Sequence, residues 1–209
     1  AINIGKTVSY KGVAMTVKNV MPYVAYGHKT VKQLSVSNLG NIGEQAFYNC
    51  TGLKELVIAE GVTSIGNNAF GNCTGLTELT LPNSVTTIGV NAFQNCTALA
   101  KVGLGNGLTT IGGSAFYYCS SLTEIVVPDS VTSIGSGAFG YCPKLTAITL
   151  PFVGESKKTA NDTYQYPFGY IFDGNYYGDY YQVQQKYYAS STSSVNSTYY
   201  YIPKNLKTV

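Results

Sequence analysis

The sequence predicts an α/β repeat solenoid: a right-handed superhelix with a parallel strand ladder on its inner face and short extended or helical turns on its outer face. Cys50, Cys73, Cys96, Cys119 and Cys142 recur every 23 residues without a slip. Phe47, Phe70, Phe93, Phe116 and Phe139 stand three residues before each cysteine, and an Ile-Gly pair stands further upstream, from Ile42-Gly43 to Ile134-Gly135. A period held in so many columns marks a stacked repeat. Each unit is too short to bury its own apolar face, and its neighbours cover it instead.

The unit reads LxxLxLPxxVTxIGxxAFxxCxx, and each stretch has its own physical reading. Leu53, Leu56 and Ile58 alternate with polar residues, as do Leu76, Leu79 and Leu81, which suits a half-buried strand. Pro82, Pro128 and Pro151 close three of these strands, because proline lacks the N–H that a continuing ladder needs. Val85 and Ile88, like their counterparts, form a short extended segment. The Ala-Phe-x-x-Cys stretch is expected to be a single helical turn with Ala and Phe facing inward.

The segment Leu122-Thr123-Glu124-Ile125-Val126-Val127-Pro128-Asp129-Ser130-Val131-Thr132-Ser133-Ile134-Gly135, followed by Ala138-Phe139 and Cys142, resembles the BspA-like leucine-rich repeats. The resemblance runs from about Leu34 to Pro151. It implies a leucine-rich repeat superhelix and a non-catalytic, secreted or cell-surface adhesion module of a host-associated microbe. The pattern departs at one column, where Gly61, Ser84, Gly107 and Ser130 stand in place of the Asn or Cys of the general leucine-rich repeat. The backbone there needs a different partner from the usual asparagine ladder.

Four segments follow from this phase. Residues 1–33 are expected to form an N-terminal cap, with a hairpin about Lys11-Gly12, since a solenoid must cover its first apolar rung. Residues 34–151 form the solenoid, residues 152–198 an insertion, and residues 199–209 a resumed, truncated repeat. Ile202-Pro203 through Val209 aligns with Leu81-Pro82 onward, which predicts that the chain ends on a half-built rung of a longer protein. Phe168-Gly169-Tyr170-Ile171-Phe172 is apolar enough to stand in for a missing Ala-Phe turn.

Composition excludes several functions. Thirteen lysines with no arginine and a net charge of +3 are too few and too scattered for a nucleic-acid footprint. No apolar run reaches the roughly 20 residues of a membrane span. The cysteines lack the CxxC pairs of zinc sites, and identical in-register thiols are poorly placed to form disulfides, so they read as a buried ladder of small hydrophobes. His28 is the single histidine and has no evident nucleophile partner. Asp173, Asn175 and Gly178 match the start of a calcium loop, but Tyr177 and Gln184 occupy later ligand positions. No enzyme, cofactor or metal site is predicted.

What remains is binding to a protein or glycan partner. Twelve of the nineteen tyrosines lie between Tyr164 and Tyr201, among Ser, Gly and Asn, the composition of contact loops built on rigid amphipathic rings and equally of rings that cover the solenoid's side and seal its apolar surface. The candidate binding residues are Tyr164, Tyr166, Tyr170, Tyr176, Tyr177, Tyr180, Tyr181, Tyr187 and Tyr188. A solvent-facing strand column adds Glu55, Glu78, Lys101 and Glu124, which reads as a solvated, self-compensating charged stripe rather than an acid–base pair. The rival expectation is a structural spacer that displays other modules of a longer chain.

Overall fold

The computed structural model describes residues 2–4, 7–10, 13–16, 19–37, 40–152, 168–172, 180–188 and 195–208. Its body is a parallel-strand solenoid of about five turns, each built from one 23-residue unit. A first set of strands comprises Gln33–Val36, Glu55–Ile58, Glu78–Thr80, Lys101–Gly103, Glu124–Val126 and Ala147–Thr149. A second, shorter set comprises Asn41–Ile42, Ser64–Ile65, Thr87–Ile88, Thr110–Ile111 and Ser133–Ile134. This second set pairs as one continuous parallel ladder, with Ile42, Ile65, Ile88, Ile111 and Ile134 in register.

The predicted alternation is realised in burial. Along Glu55–Ile58, Glu55 and Val57 face solvent while Leu56 and Ile58 are buried. Each rung feeds the same columns of side chains into one contiguous core, so Val85, Ile88, Ala92, Phe93, Cys96 and Leu99 are all fully buried. The phenylalanines form a stack along the axis. Ring centroids are 5.3 Å apart for Phe47 and Phe70, and 5.8 Å apart for Phe116 and Phe139, with planes within 8° of parallel.

The α/β prediction does not hold. The only helical element among the described residues is the 3₁₀ turn Phe168–Ile171. The Ala-Phe-x-x-Cys stretch is a chain of tight turns, and the reason lies in its hydrogen bonds. An α-helix returns each N–H to a carbonyl of its own chain four residues back. Here Asn91, Phe93 and Asn95 instead donate to Gly113, Ala115 and Tyr117 of the next rung, at 2.7–3.0 Å. The alternate residues Ala92, Gln94 and Cys96 donate three residues back within the rung. That alternation needs left-handed backbone at two positions per rung, and Asn91 (φ 57°) and Asn95 (φ 58°) supply it. Among non-glycine residues, asparagine tolerates this region best.

The expected substitute for the asparagine ladder is serine. The Ser84 hydroxyl donates to the Val62 carbonyl at 2.7 Å and accepts from the Gly61 N–H at 3.1 Å, and Ser130 donates to Leu108 at 2.7 Å.

The repeat register begins earlier than the sequence pattern. Val20 bridges Ile42, Ala25 donates to Ala46 and Gly27 donates to Tyr48, so Val20–His28 repeats Ile42–Cys50 with a 22-residue offset. Ala25 takes the phenylalanine place and His28 the cysteine place. Ahead of this rung, Thr7–Tyr10 and Val13–Thr16 form an antiparallel hairpin, and Ile2–Ile4 pairs in parallel with Gln33–Val36.

At the other end, Ile171-Phe172 completes the outer turn that Ala-Phe would have made. Phe139 donates to the Ile171 carbonyl at 2.8 Å, and both Ile171 and Phe172 are buried. The resumed repeat, however, has a different phase from the one aligned on Ile202-Pro203. Lys207 donates to Thr146 at 2.8 Å, and Thr208 bridges Ala147 in parallel. Residues 206–208 therefore extend the Leu145–Ile148 strand column, whereas the alignment had placed them in the Val-Thr-x-Ile column. A prolyl turn precedes both kinds of strand, and proline alone does not distinguish them.

Candidate functional site

Among the described residues, no group of three or more His, Cys, Asp or Glu side chains could hold a metal ion. The five cysteines are free and buried. Each Sγ points at a backbone carbonyl of the preceding rung: Cys73 at Phe47 (3.3 Å), Cys96 at Phe70 (3.3 Å) and Cys142 at Phe116 (3.4 Å). Burial pushes the Cys96 and Cys142 thiols up to about 12, against an ordinary value of 9.0, so they are not poised as nucleophiles. His28 is exposed in the partial rung and Cys50 is buried beneath it, its thiol also raised by desolvation.

The charged column lies where the strands predict. Glu55, Glu78, Lys101 and Glu124 share one solvent-facing position of the first strand set. Glu55 accepts a 2.7 Å hydrogen bond from the Gln33 amide, and the Lys101 ammonium lies 3.4 Å from a Glu78 carboxylate oxygen. Both ends of that ion pair are more than half exposed, so solvent screens it and it adds little stability. Two residues along the same strands runs a second outward column of Val57, Thr80, Gly103, Val126 and Thr149. Val57 is 57% exposed and Val126 63% exposed; with Met21 they are the most exposed large apolar side chains among the described residues.

Grooves accompany these valines. One of about 500 Å³ lies between Glu55–Ile58 and Glu78–Thr80, and Pro82 closes one end of it. A second, of about 480 Å³, runs across Glu78–Thr80, Lys101–Gly103 and Glu124–Val126. Gly103 leaves the middle of that groove without a side chain. Sequence reasoning named the charged column but missed the valines, although their outward position on an alternating strand was the available signal.

A separate aromatic cluster lies on the turn side. Tyr26 stacks on Tyr48 with centroids 5.2 Å apart, and Tyr118 stacks on Tyr141 at 4.2 Å. The Tyr48 hydroxyl accepts from the Asn72 side-chain amide at 2.8 Å, and Asn95 donates in turn to Asn72 at 2.7 Å. Asn72 and Asn95 are thus held by side-chain partners at left-handed positions, which accounts for their Asn-Cys-Thr triplets structurally.

Of the tyrosines, Tyr170 sits half-buried in the 3₁₀ turn against the last rung. Tyr180, Tyr181, Tyr187 and Tyr188 lie on Tyr180–Tyr188, which pairs antiparallel with Val195–Pro203 in a two-stranded ribbon. Tyr164, Tyr166, Tyr176 and Tyr177 lie outside the described residues, as does the stretch from Asp173 to Asp179.

Residues 26–166 match the model of the BspA type leucine-rich repeat region, in six copies. Similar solved structures come from several bacteria. A leucine rich cell surface protein from Faecalibacterium prausnitzii is 26% identical, with a TM-score of 0.51, over 78% of this chain and 48% of that one. A leucine-rich repeat protein from Bacteroides ovatus is 26% identical, with a TM-score of 0.52, over 72% and 46%. One from Eubacterium ventriosum is 26% identical, with a TM-score of 0.57, over 69% and 40%. The chain spans less than half the length of each of these. No curated protein matches it. Among the described residues, no helix is long and apolar enough to cross a membrane.

Proposed function

The chain belongs to the BspA-type leucine-rich repeat family, and on that premise we propose that it is a non-catalytic repeat module of a secreted or cell-surface protein that binds a protein or glycan partner through its strand face. The observation that carries this reading is the pair of exposed valines. Val57 and Val126 open onto grooves of about 500 and 480 Å³ whose other outward strand residues are charged, threonine or glycine. Apolar side chains in a groove beside charged and hydroxyl neighbours give a partner both desolvated contact and hydrogen bonding. The surface location rests on the leucine rich cell surface protein of Faecalibacterium prausnitzii among the similar structures.

A second reading puts the contact on the tyrosine-rich ribbon, whose paired strands bring Tyr180, Tyr181, Tyr187 and Tyr188 into one sheet with Tyr199, Tyr200 and Tyr201. The test is adhesion of the purified chain to immobilised host matrix proteins and glycans, compared with Val57→Asp and Val126→Asp variants. Loss of adhesion with the fold retained supports the strand face. Adhesion that survives both substitutions overturns it, and loss on replacing Tyr187 and Tyr188 by serine would then assign the contact to the ribbon. No adhesion to any surface favours the spacer.

A further inference from the structure

Residues 82–85, 105–108 and 128–131 are equivalent turns of successive rungs, each closed by a bond from its fourth N–H to its first carbonyl at 3.0–3.2 Å. The side chain at the second position of such a turn caps the backbone of the following rung. The Glu60 carboxylate accepts from the Asn83 and Ser84 N–H groups at 3.1 Å, and the Asn83 side-chain oxygen accepts from the Asn106 N–H at 2.8 Å. The series stops there. Asn106 is exposed, and among the described residues its side chain makes no hydrogen bond.

The backbone that follows it is equally unengaged. Asn106-Gly107 is the only Asn-Gly step in the sequence, and among the described residues the Gly107 N–H has no acceptor. Every other described asparagine outside the strands is followed by an N–H that already donates. Ser84 donates to Glu60 at 3.1 Å, and Cys73, Ala92 and Cys96 donate to the Phe70, Gly89 and Phe93 carbonyls at 3.2–3.3 Å.

We infer that Asn106 is a site of spontaneous covalent modification, where deamidation turns a neutral residue lining the second groove into a carboxylate. The Gly107 nitrogen attacks the Asn106 Cγ, the bond from Cγ to the side-chain nitrogen breaks, and that nitrogen leaves as ammonia with the proton the backbone gave up. A five-membered succinimide results. One water then opens it at either carbonyl, giving aspartate or, with the main chain routed through Cγ, isoaspartate. A hydrogen-bonded N–H must first give up its partner before its nitrogen can attack, and a Cβ on the following residue crowds the approach. Gly107 meets neither obstacle.

The two products differ in effect. The aspartyl form adds a carboxylate to a groove where Glu78 and Glu124 already stand against Lys101, and takes one unit from the chain's net charge of +3. The isoaspartyl form also lengthens the main chain by one methylene. Gly105 and Gly107 lie so close to the backbone of Pro82 and Asn83 that neither has space for a Cβ, so the added atom strains this junction between rungs.

The experiment holds the full chain at 37 °C at pH 6.5 and pH 8.5 and follows it by peptide mapping with mass spectrometry. Isoaspartyl methyltransferase labels the β-linked product. Trypsin cutting after Lys101 and Lys144 isolates Asn106 in a peptide with no other asparagine. Conversion of Asn106 should run at least tenfold faster than that of Asn83 in the same molecules. It should be faster at pH 8.5, because the attacking nitrogen must lose its proton. Asn106→Gln, whose ring closure is slower, should abolish the label on this peptide with the circular dichroism spectrum unchanged. Similar rates at Asn106 and Asn83 overturn the inference. So does an Asn106 that stays intact while the urea-unfolded chain converts, or a label on this peptide that persists in Asn106→Gln.

Discussion

Cys96 directs its Sγ at the Phe70 carbonyl of the preceding rung, 3.3 Å away, and Phe70 in turn stacks its ring on Phe93 at 5.4 Å. The thiol is therefore a weak donor that caps a carbonyl inside the core. Desolvation holds it neutral up to about 12. In the unfolded chain it ionises near 9.0. Between those values the folded state binds more protons, so stability falls as pH rises through that window and is intact below it. The urea midpoint should drop between pH 8 and pH 10.5, and the drop should shrink in Cys96→Ala. At pH 8, a thiol reagent such as dithionitrobenzoate should leave the described cysteines unmodified until denaturant is added.

The Ile-Gly column is set by rung spacing. A Cβ on Gly112 would lie 2.6 Å from the backbone of Gly89 and Val90, where nothing flexible can yield. Gly112→Ala should therefore destabilise by about 1–3 kcal/mol through overpacking, read from chemical denaturation.

Asn91 occupies left-handed backbone at φ 57°. Asn91→Gly should leave the melting temperature nearly unchanged, whereas Asn91→Ala should cost about 1–2 kcal/mol from Cβ crowding. Equal effects of the two would show that the side chain, not the backbone, matters there.

Phe172 is buried over the last rung, where Phe139 donates to the neighbouring Ile171 carbonyl. Phe172→Ala should cost about 3–5 kcal/mol if that rung unfolds with the rest. Hydrogen exchange should show protection lost first at Phe139 and Gly137, with Phe70 and Phe93 retaining theirs. Uniform loss along the axis would show that the solenoid unfolds as one unit.

The repeat unit itself was legible because its columns are set by one local rule, copied. A buried position needs an apolar side chain of fixed size, and a close rung contact needs glycine. The alternation in Glu55–Ile58 followed from the same reasoning, as did the need for a partner other than the asparagine ladder, which the structure supplies through Ser84 and Ser130. Misreadings arose where hydrogen bonds run between rungs. A Gly-x-x-Ala-Phe-x-x-Cys string is compatible with one helical turn by itself. Its N–H groups are drawn to the next rung only once that rung is stacked beside it, and the left-handed asparagines record this. Val20–His28 went unseen as a rung because it keeps the backbone register while Ala25 and His28 replace Phe and Cys.

By itself, the sequence determined the repeat, its core columns, the buried thiols and the family resemblance, since each depends on side-chain type at a fixed spacing. Only the tertiary structure decided two further matters: the replacement of helix by tight turns in the Ala-Phe-x-x-Cys stretches, and the phase in which Lys207 and Thr208 rejoin the ladder. Both turn on which neighbouring rung receives a backbone hydrogen bond. That choice is made between chain segments far apart in sequence, where spacing within one unit carries no information.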